Sequence, residues 1–250
     1  MAGPAPILIG EAFSPWTQKA RWALEACGVG HVYEEYAPVL GEPRLRWRTG
    51  HWTGRATVPV LLDGNRVIPD SWSIVLHANA RSPVPLIRDL VECARWNARC
   101  DAACAEARQR VLRRISTSTV ALDEAVVGIL PWAPPGLRRA AALAVIRRLQ
   151  RKYAGLGRDG ALREALLQGR RQLQGSGTGF LSTAFGFPDI ALAVVVEVIA
   201  PRARTARGPA TLACWSDHTL TSEFTDVVRW RDGLADTPFA WSHLRGDAQP

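Results

Sequence analysis

The sequence predicts an α/β region followed by an all-helical one. Up to residue 81, short apolar runs alternate with helical patterns. A Ser-Pro-Val-Pro connection at 82–85 then interrupts the chain, and from Leu86 onward the apolar spacing is helical almost throughout.

Taken in order, ILIG (7–10) is a short apolar run of strand type. Residues 15–27 form a helix: Ser14 suits its N-cap and Pro15 its first turn. Trp16, Ala20, Ala23, Leu24 and Cys27 recur within it at helical spacing. HVYEEYAPV (31–39) is strand-like through Val32, Tyr33 and Tyr36. From Gly41 to Thr57 the composition is polar and Gly-rich and reads as a loop. VPVLL (58–62) is a buried-type strand, DGN (63–65) a hairpin signal and RVIP (66–69) the return strand. DSWSIVLHANA (70–80) is a helix in which Ser71 is the expected N-cap, followed by Ile74, Val75 and Ala78 on one face.

One long amphipathic helix is expected over Leu86–Ile115. Further helices fit Thr119–Ile129, Pro135–Tyr153, Ala161–Gln174, Pro188–Ile199 and Ser222–Leu234. PRARTARGPA (201–210) reads as a basic, irregular connection. The domain boundaries expected from this pattern are 1–81 and 86–250.

The 250 residues suffice for one large domain or two small ones. A hydrophobic content of 47% with 22% charged residues is that of an ordinary soluble chain. The longest apolar run, from Ile190, is broken by Glu197 and is too short to span a bilayer. The N-terminal MAGPAPILIG lacks a basic leader, so a cytoplasmic location is expected. The net charge of +8 is carried by scattered arginines, with Lys19 and Lys152 the only lysines. No nucleic-acid reading motif accompanies it, so no nucleic-acid or membrane partner is expected; attraction of anionic ligands fits better. Five cysteines outside any secretory context predict no disulfide framework. Cys93, Cys100 and Cys104 share a helix face but lack a fourth ligand, so no metal site is expected.

Four segments together carry a resemblance. FSPWTQKARWALEACGV (13–29) is similar to the first turn and helix of the soluble glutathione S-transferases of the serine and cysteine type. TVPVLLDGNRVIPDSWSIVLHA (57–78) resembles their thiol-binding strand, hairpin and helix. The long helix from Leu86 is the third segment. GFLSTAFGFPDIALAVVV (179–196) resembles the core helix of their second domain. The resemblance implies a thioredoxin-like N-terminal domain followed by a helical C-terminal domain. It has three departures. Gly186 stands where the capping box before Asp189 normally has Ser or Thr. Ala56-Thr57 separates Gly54-Arg55 from Val58-Pro59. Residues 201–216 match nothing in the family pattern.

What the resemblance implies chemically is activation of a bound thiol. A free thiol has a pKa of about 8.5, and a helix N-terminus with good donors lowers it. Ser14 occupies the position of the thiol-activating group, where its hydroxyl would donate to a thiolate. Ser14 and Thr17 also stand where a Cys-x-x-Cys pair would sit, which excludes dithiol–disulfide exchange at this turn. Val58 and Pro59 resemble the family's cis-proline step, whose backbone pairs with a tripeptide thiol. Asp70 and Ser71 suit the γ-glutamyl end of glutathione, with its ammonium and carboxylate. Arg55, or alternatively His51, would meet the carboxylate at the other end. Phe13, Trp16, Trp96, Arg108 and Leu112 are the candidate electrophile site, although aromatics at such places also serve as core.

The expected activity is conjugation of glutathione with an apolar small-molecule electrophile, of detoxification type, in a homodimer. Glutathione would be a co-substrate, and another small thiol remains open. The alternatives are a thiol-dependent isomerase, a dehalogenase, a biosynthetic C–S bond-forming enzyme of the same fold, or a non-catalytic binding module.

Overall fold

Four short strands form one sheet in a computed structural model of the chain, which describes residues 4–126, 132–202 and 208–234. Strand β1 (Ile7–Gly10) leads through a turn into helix α1 (Pro15–Ala26), and β2 (Val32–Glu35) follows. Helix α2 (Glu42–Thr49), β3 (Val60–Asp63), β4 (Arg66–Pro69) and α3 (Ser71–Asn79) complete this region. The strand order is β2-β1-β3-β4. Strand β1 pairs parallel with β2 and antiparallel with β3, which pairs antiparallel with β4.

The alternation of side chains along each strand decides what covers the sheet. Ile9 and Val60 point to one face, where they pack with Tyr36 and with Leu45 of α2. Leu8 and Leu61 point to the other and are fully buried. Helices α1 and α3 pack against each other, and α3 packs against β3 and β4. Ala20, Ala23 and Leu24 of α1 and Ile74, Val75 and Ala78 of α3 are buried.

Helix α2 corrects the expected loop between Gly41 and Thr57. Pro43 sits in its first turn, and Gly50, with φ 69°, closes it in the left-handed region. Leu45 is its single buried residue. A helix with one apolar contact shows no apolar period in the sequence.

The remaining helices are α4 (Leu90–Thr117), α5 (Thr119–Val126), α6 (Pro135–Lys152), α7 (Ala161–Ser176), α8 (Phe187–Glu197), α9 (Pro209–Trp215), α10 (His218–Glu223) and α11 (Thr225–Gly233). The helix expected over Ser222–Leu234 is thus two, broken at Phe224. Helix α9 starts at the end of the connection expected to be irregular (201–210) and lies within residues 201–216, which match nothing in the family pattern. Its first N–H groups are held by Glu124, whose carboxylate accepts from Ala210 N at 3.1 Å and Thr211 N at 2.7 Å. Residues 127–129 of the helix expected over Thr119–Ile129, 203–207 of the basic connection and 235–250 of the expected second domain lie outside the described residues.

The contacts divide the chain into two compact units. Among the described residues, the first holds 4–97, 172–194 and 229–234. The second holds Ala98–Arg171 and Val195–Val228. In the first unit, α8 starts from Gly186, and the fully buried Asp189 carboxylate accepts from Gly186 N and Leu181 N, each at 2.8 Å. Burial pushes its pKa up to about 7, against the opposing pull of those two backbone donors. In the second unit, Arg110 of α4 meets Asp217 at 2.7 Å, and Arg114 donates to the carbonyls of Cys214 and Ser216. All five cysteines are buried, and none forms a disulfide. Among the described residues no cluster suits a metal ion, and no helix is long and apolar enough to cross a membrane.

Candidate functional site

The sheet register gathers the candidate residues of the first unit. Ile9, Val60 and Pro69 stand in one row across β1, β3 and β4. From that end of the sheet the chain leaves β1 toward Ser14, enters β3 through Pro59, and leaves β4 into Asp70. Ser14, the Val58-Pro59 step and Asp70-Ser71 are thus delivered to the same end by three connections. The Val58-Pro59 peptide bond is cis.

Ser14 takes the N-cap position of α1 in extended conformation and is buried. Its carbonyl accepts from Gln18 N at 3.0 Å and its N–H donates to Glu11 O at 2.9 Å. Its hydroxyl makes no capping bond, and no acidic residue stands in the first turn. A serine at this position ordinarily gives its oxygen to the second or third N–H of the helix. Here the positive end of α1 is left uncompensated by its own cap. Gln18, one turn on, is also buried; its Nε2 donates to Ala12 O at 3.4 Å, and its Oε1 has no hydrogen-bond partner.

The turn before Ser14 is tightly made. A side chain at Gly10 would come within 2.4 Å of Thr17 Cγ2, and Thr17 Oγ1 accepts from Glu11 N at 3.2 Å. Tyr33 Oη lies 2.9 Å from Gly10 O, and Ala12 N donates to the Glu35 carboxylate at 3.1 Å.

At α3 the N-cap is Asp70 rather than the expected Ser71. Its Oδ1 accepts from Ser73 N at 2.9 Å and its Oδ2 from Ser73 Oγ at 3.0 Å. Two bonds to one residue favour the aspartate over the shorter serine. Ser71 becomes the first helical residue, buried. Asp70 has φ 54° and ψ 159°, a region that costs a non-glycine residue about 1–3 kcal/mol. Its carboxylate stays exposed while capping the helix.

Arg55 and His51 are both exposed on the connection before β3. That connection is gripped by Arg46, a residue the sequence did not single out. Its guanidinium donates to His51 O at 3.2 Å, Trp52 O at 3.0 Å and Gly54 O at 2.9 Å, and it pairs with Glu42 at 2.8 Å. The signal that could have found it is the Glu42–Arg46 spacing of four on an unrecognised helix.

The candidate electrophile residues divide between the two units. Phe13 and Trp16 flank Ser14, each half-buried. Trp96 is only 1% exposed, so it packs as core. In the second unit Arg108 lies over the Tyr153 ring, 3.6 Å from its centroid, and Leu112 is buried.

Residues 13–81 match the family model of the glutathione S-transferase N-terminal domain. The chain carries a glutathione S-transferase N-terminal domain. Solved structures extend the likeness along the whole chain at the level of fold. A glutathione S-transferase from Methylobacterium radiotolerans, in complex with glutathione sulfonate, is 19% identical with a TM-score of 0.57, covering 99% of this chain and 97% of its own. One from Methylobacillus flagellatus with glutathione bound is 15% identical with a TM-score of 0.57, covering 98% and 100%. FzlA from C. crescentus is 19% identical with a TM-score of 0.51, covering 99% and 94%. No curated protein sequence matches the chain. The matched segment includes Ser14, the Val58-Pro59 step and Asp70-Ser71, and strand β1 (Ile7–Gly10) precedes it.

Proposed function

We propose that this chain is a glutathione transferase that activates a bound tripeptide thiol for attack on an apolar electrophile. The observation that carries the reading is the Ser14 hydroxyl, buried at the start of α1 yet making no cap bond. It leaves a donor beside an uncompensated helix N-terminus, which favours a thiolate over a thiol. The neighbours solved with glutathione or its sulfonate support the choice of thiol.

In this reading the cysteinyl part of glutathione pairs with the Val58 backbone beside Pro59. The γ-glutamyl ammonium meets the exposed Asp70 carboxylate, and its carboxylate meets the α3 N-terminus at Ser71. Arg55 meets the glycyl carboxylate. Ser14 donates to the sulfur, which keeps its proton off at neutral pH. The thiolate then attacks the electrophile, held by Phe13 and Trp16 near the turn, and the leaving group departs with the electron pair. The protein acts in the cytoplasm as a homodimer.

Calorimetric titration with glutathione tests the reading. Saturable binding that weakens in Ser71→Ala supports it, and an unchanged binding isotherm in that variant removes the α3 N-terminus from the site. Ser14→Ala should bind glutathione comparably while losing thiolate absorbance in the ultraviolet. Full turnover in Ser14→Ala refutes the role given to Ser14.

A further inference from the structure

We propose that Tyr33 and Glu35 of β2 are positioning residues for Ser14, holding the β1–α1 turn from the neighbouring strand; this rests on the thiol-activating reading of Ser14. The parallel register sets Leu8 opposite Tyr33 and Gly10 opposite Glu35. Residues 33 and 35 share one side of the strand, so both reach the chain just where β1 ends. Tyr33 Oη contacts Gly10 O at 2.9 Å and the Glu35 carboxylate at 2.5 Å. Glu35 in turn accepts from Ala12 N at 3.1 Å. Two residues later the chain reaches Ser14.

The other anchors of this turn are local or long. Glu11 N donates to Thr17, Ser14 N to Glu11 O, and Gln18 reaches Ala12 O at 3.4 Å. Gly10 O also accepts from Tyr36 N at 2.7 Å, and the β2 pair adds an attachment of the turn to the sheet through side chains. Arg21 lies over the Tyr33 ring, 5.3 Å from its centroid, and is itself paired with Glu25 at 3.1 Å. Burial, with the adjacent Glu35 carboxylate, pushes the Tyr33 phenol well above its usual range, so it stays a donor. Its one proton has two acceptors within reach, Gly10 O and the Glu35 carboxylate.

The charge on Glu35 works against a thiolate nearby, because a like charge raises the pKa of a thiol. What Glu35 supplies to the site is therefore geometry. That gives the test a sign. In Glu35→Gln an acceptor oxygen remains and the charge is gone. In Glu35→Ala both are gone, and in Tyr33→Phe the ring remains without its hydroxyl.

The full-length variants are compared by the ultraviolet absorbance of bound glutathione thiolate across pH, by pH–rate profiles and by amide hydrogen exchange at Ala12. Glu35→Ala and Tyr33→Phe are expected to raise the bound-thiol pKa and move the ascending limb of the profile to higher pH. Turnover at neutral pH falls roughly ten-fold, within the range for a misplaced reacting group. Glu35→Gln restores most of it, with a bound-thiol pKa at or below that of the parent chain. If Glu35→Ala lowers the thiol pKa as Glu35→Gln does, Glu35 acts only as a charge and the proposal is overturned. If the parent chain shows no thiolate with glutathione, the Ser14 reading fails by itself. Exchange at Ala12 then still decides the clamp: faster in Glu35→Ala than in Glu35→Gln supports it, and equal rates in all variants overturn it.

Discussion

At the start of α8 the buried Asp189 carboxylate accepts from Gly186 N and Leu181 N, while at the start of α1 the Ser14 hydroxyl accepts nothing from the first turn. Both helices begin inside the same compact unit. At α8 the carboxylate ties down the chain just before the helix, while Phe187 N goes to Leu86 O; at α1 Ser14 N donates to Glu11 O and the serine hydroxyl caps nothing. The N–H groups at a helix start need a partner from somewhere. Where side chains supply it, the helix start serves stability. Where they do not, the positive end of the helix lacks a cap from its own side chain.

Substitutions at the two starts should separate these roles. The largest effect is expected from Asp189→Ala, which strands two buried backbone donors and should cost about 3 kcal/mol or more in denaturant unfolding. Asp189→Asn keeps one acceptor and should cost about half as much. The same pair carries a pH signature. Asp189 titrates at about 7 in the fold, against 3.8 for an ordinary aspartate. The folded chain therefore holds the extra proton between those values, and stability falls as pH rises through that window. Melting curves at about pH 5 and about pH 8 should show this slope in the parent chain and lose it in Asp189→Asn.

A middle effect is expected at the α8 N-cap. A Cβ on Gly186 would lie 3.1 Å from Leu86 O, which is already bonded to Phe187 N at 2.9 Å. Gly186→Ser, which completes a capping box on paper, should therefore destabilise by about 1 kcal/mol, the cost of a modest overpacking. The smallest effect is expected at α1. A working serine cap is worth about 1 kcal/mol, so Ser14→Ala should change unfolding by less than about half that. A loss of a full cap's worth in that variant would erase the contrast between the two helices.

How much of this was legible in the sequence follows from range. Ser14, Pro15, Asp70 and Ser71 announce themselves locally, because helix starts are written in a few adjacent residues. The choice between Asp70 and Ser71 as the cap was not legible, since it turned on the Ser73 hydroxyl adding a second bond. Helix α2 was hidden because only Leu45 faces the core. Helix α9 was hidden because its N-terminus is completed by Glu124, far away in sequence. Arg46 binds the carbonyls of His51, Trp52 and Gly54, which carry no side-chain signal. Tyr33 and Glu35 read simply as strand residues until the β1–β2 register put them under the turn.

Gly10 and Thr17 are in effect one position written in two places. Any side chain at residue 10 would have to occupy the space of the Thr17 methyl, and moving Thr17 would unhook the Glu11 amide. Their mutational tolerances should therefore be epistatic. Gly10→Ala alone should be rejected in a selection for folded protein, whereas a library that varies both residues should recover alanine at 10 only alongside a smaller residue at 17. A route to alanine at 10 would therefore pass first through a smaller residue at 17.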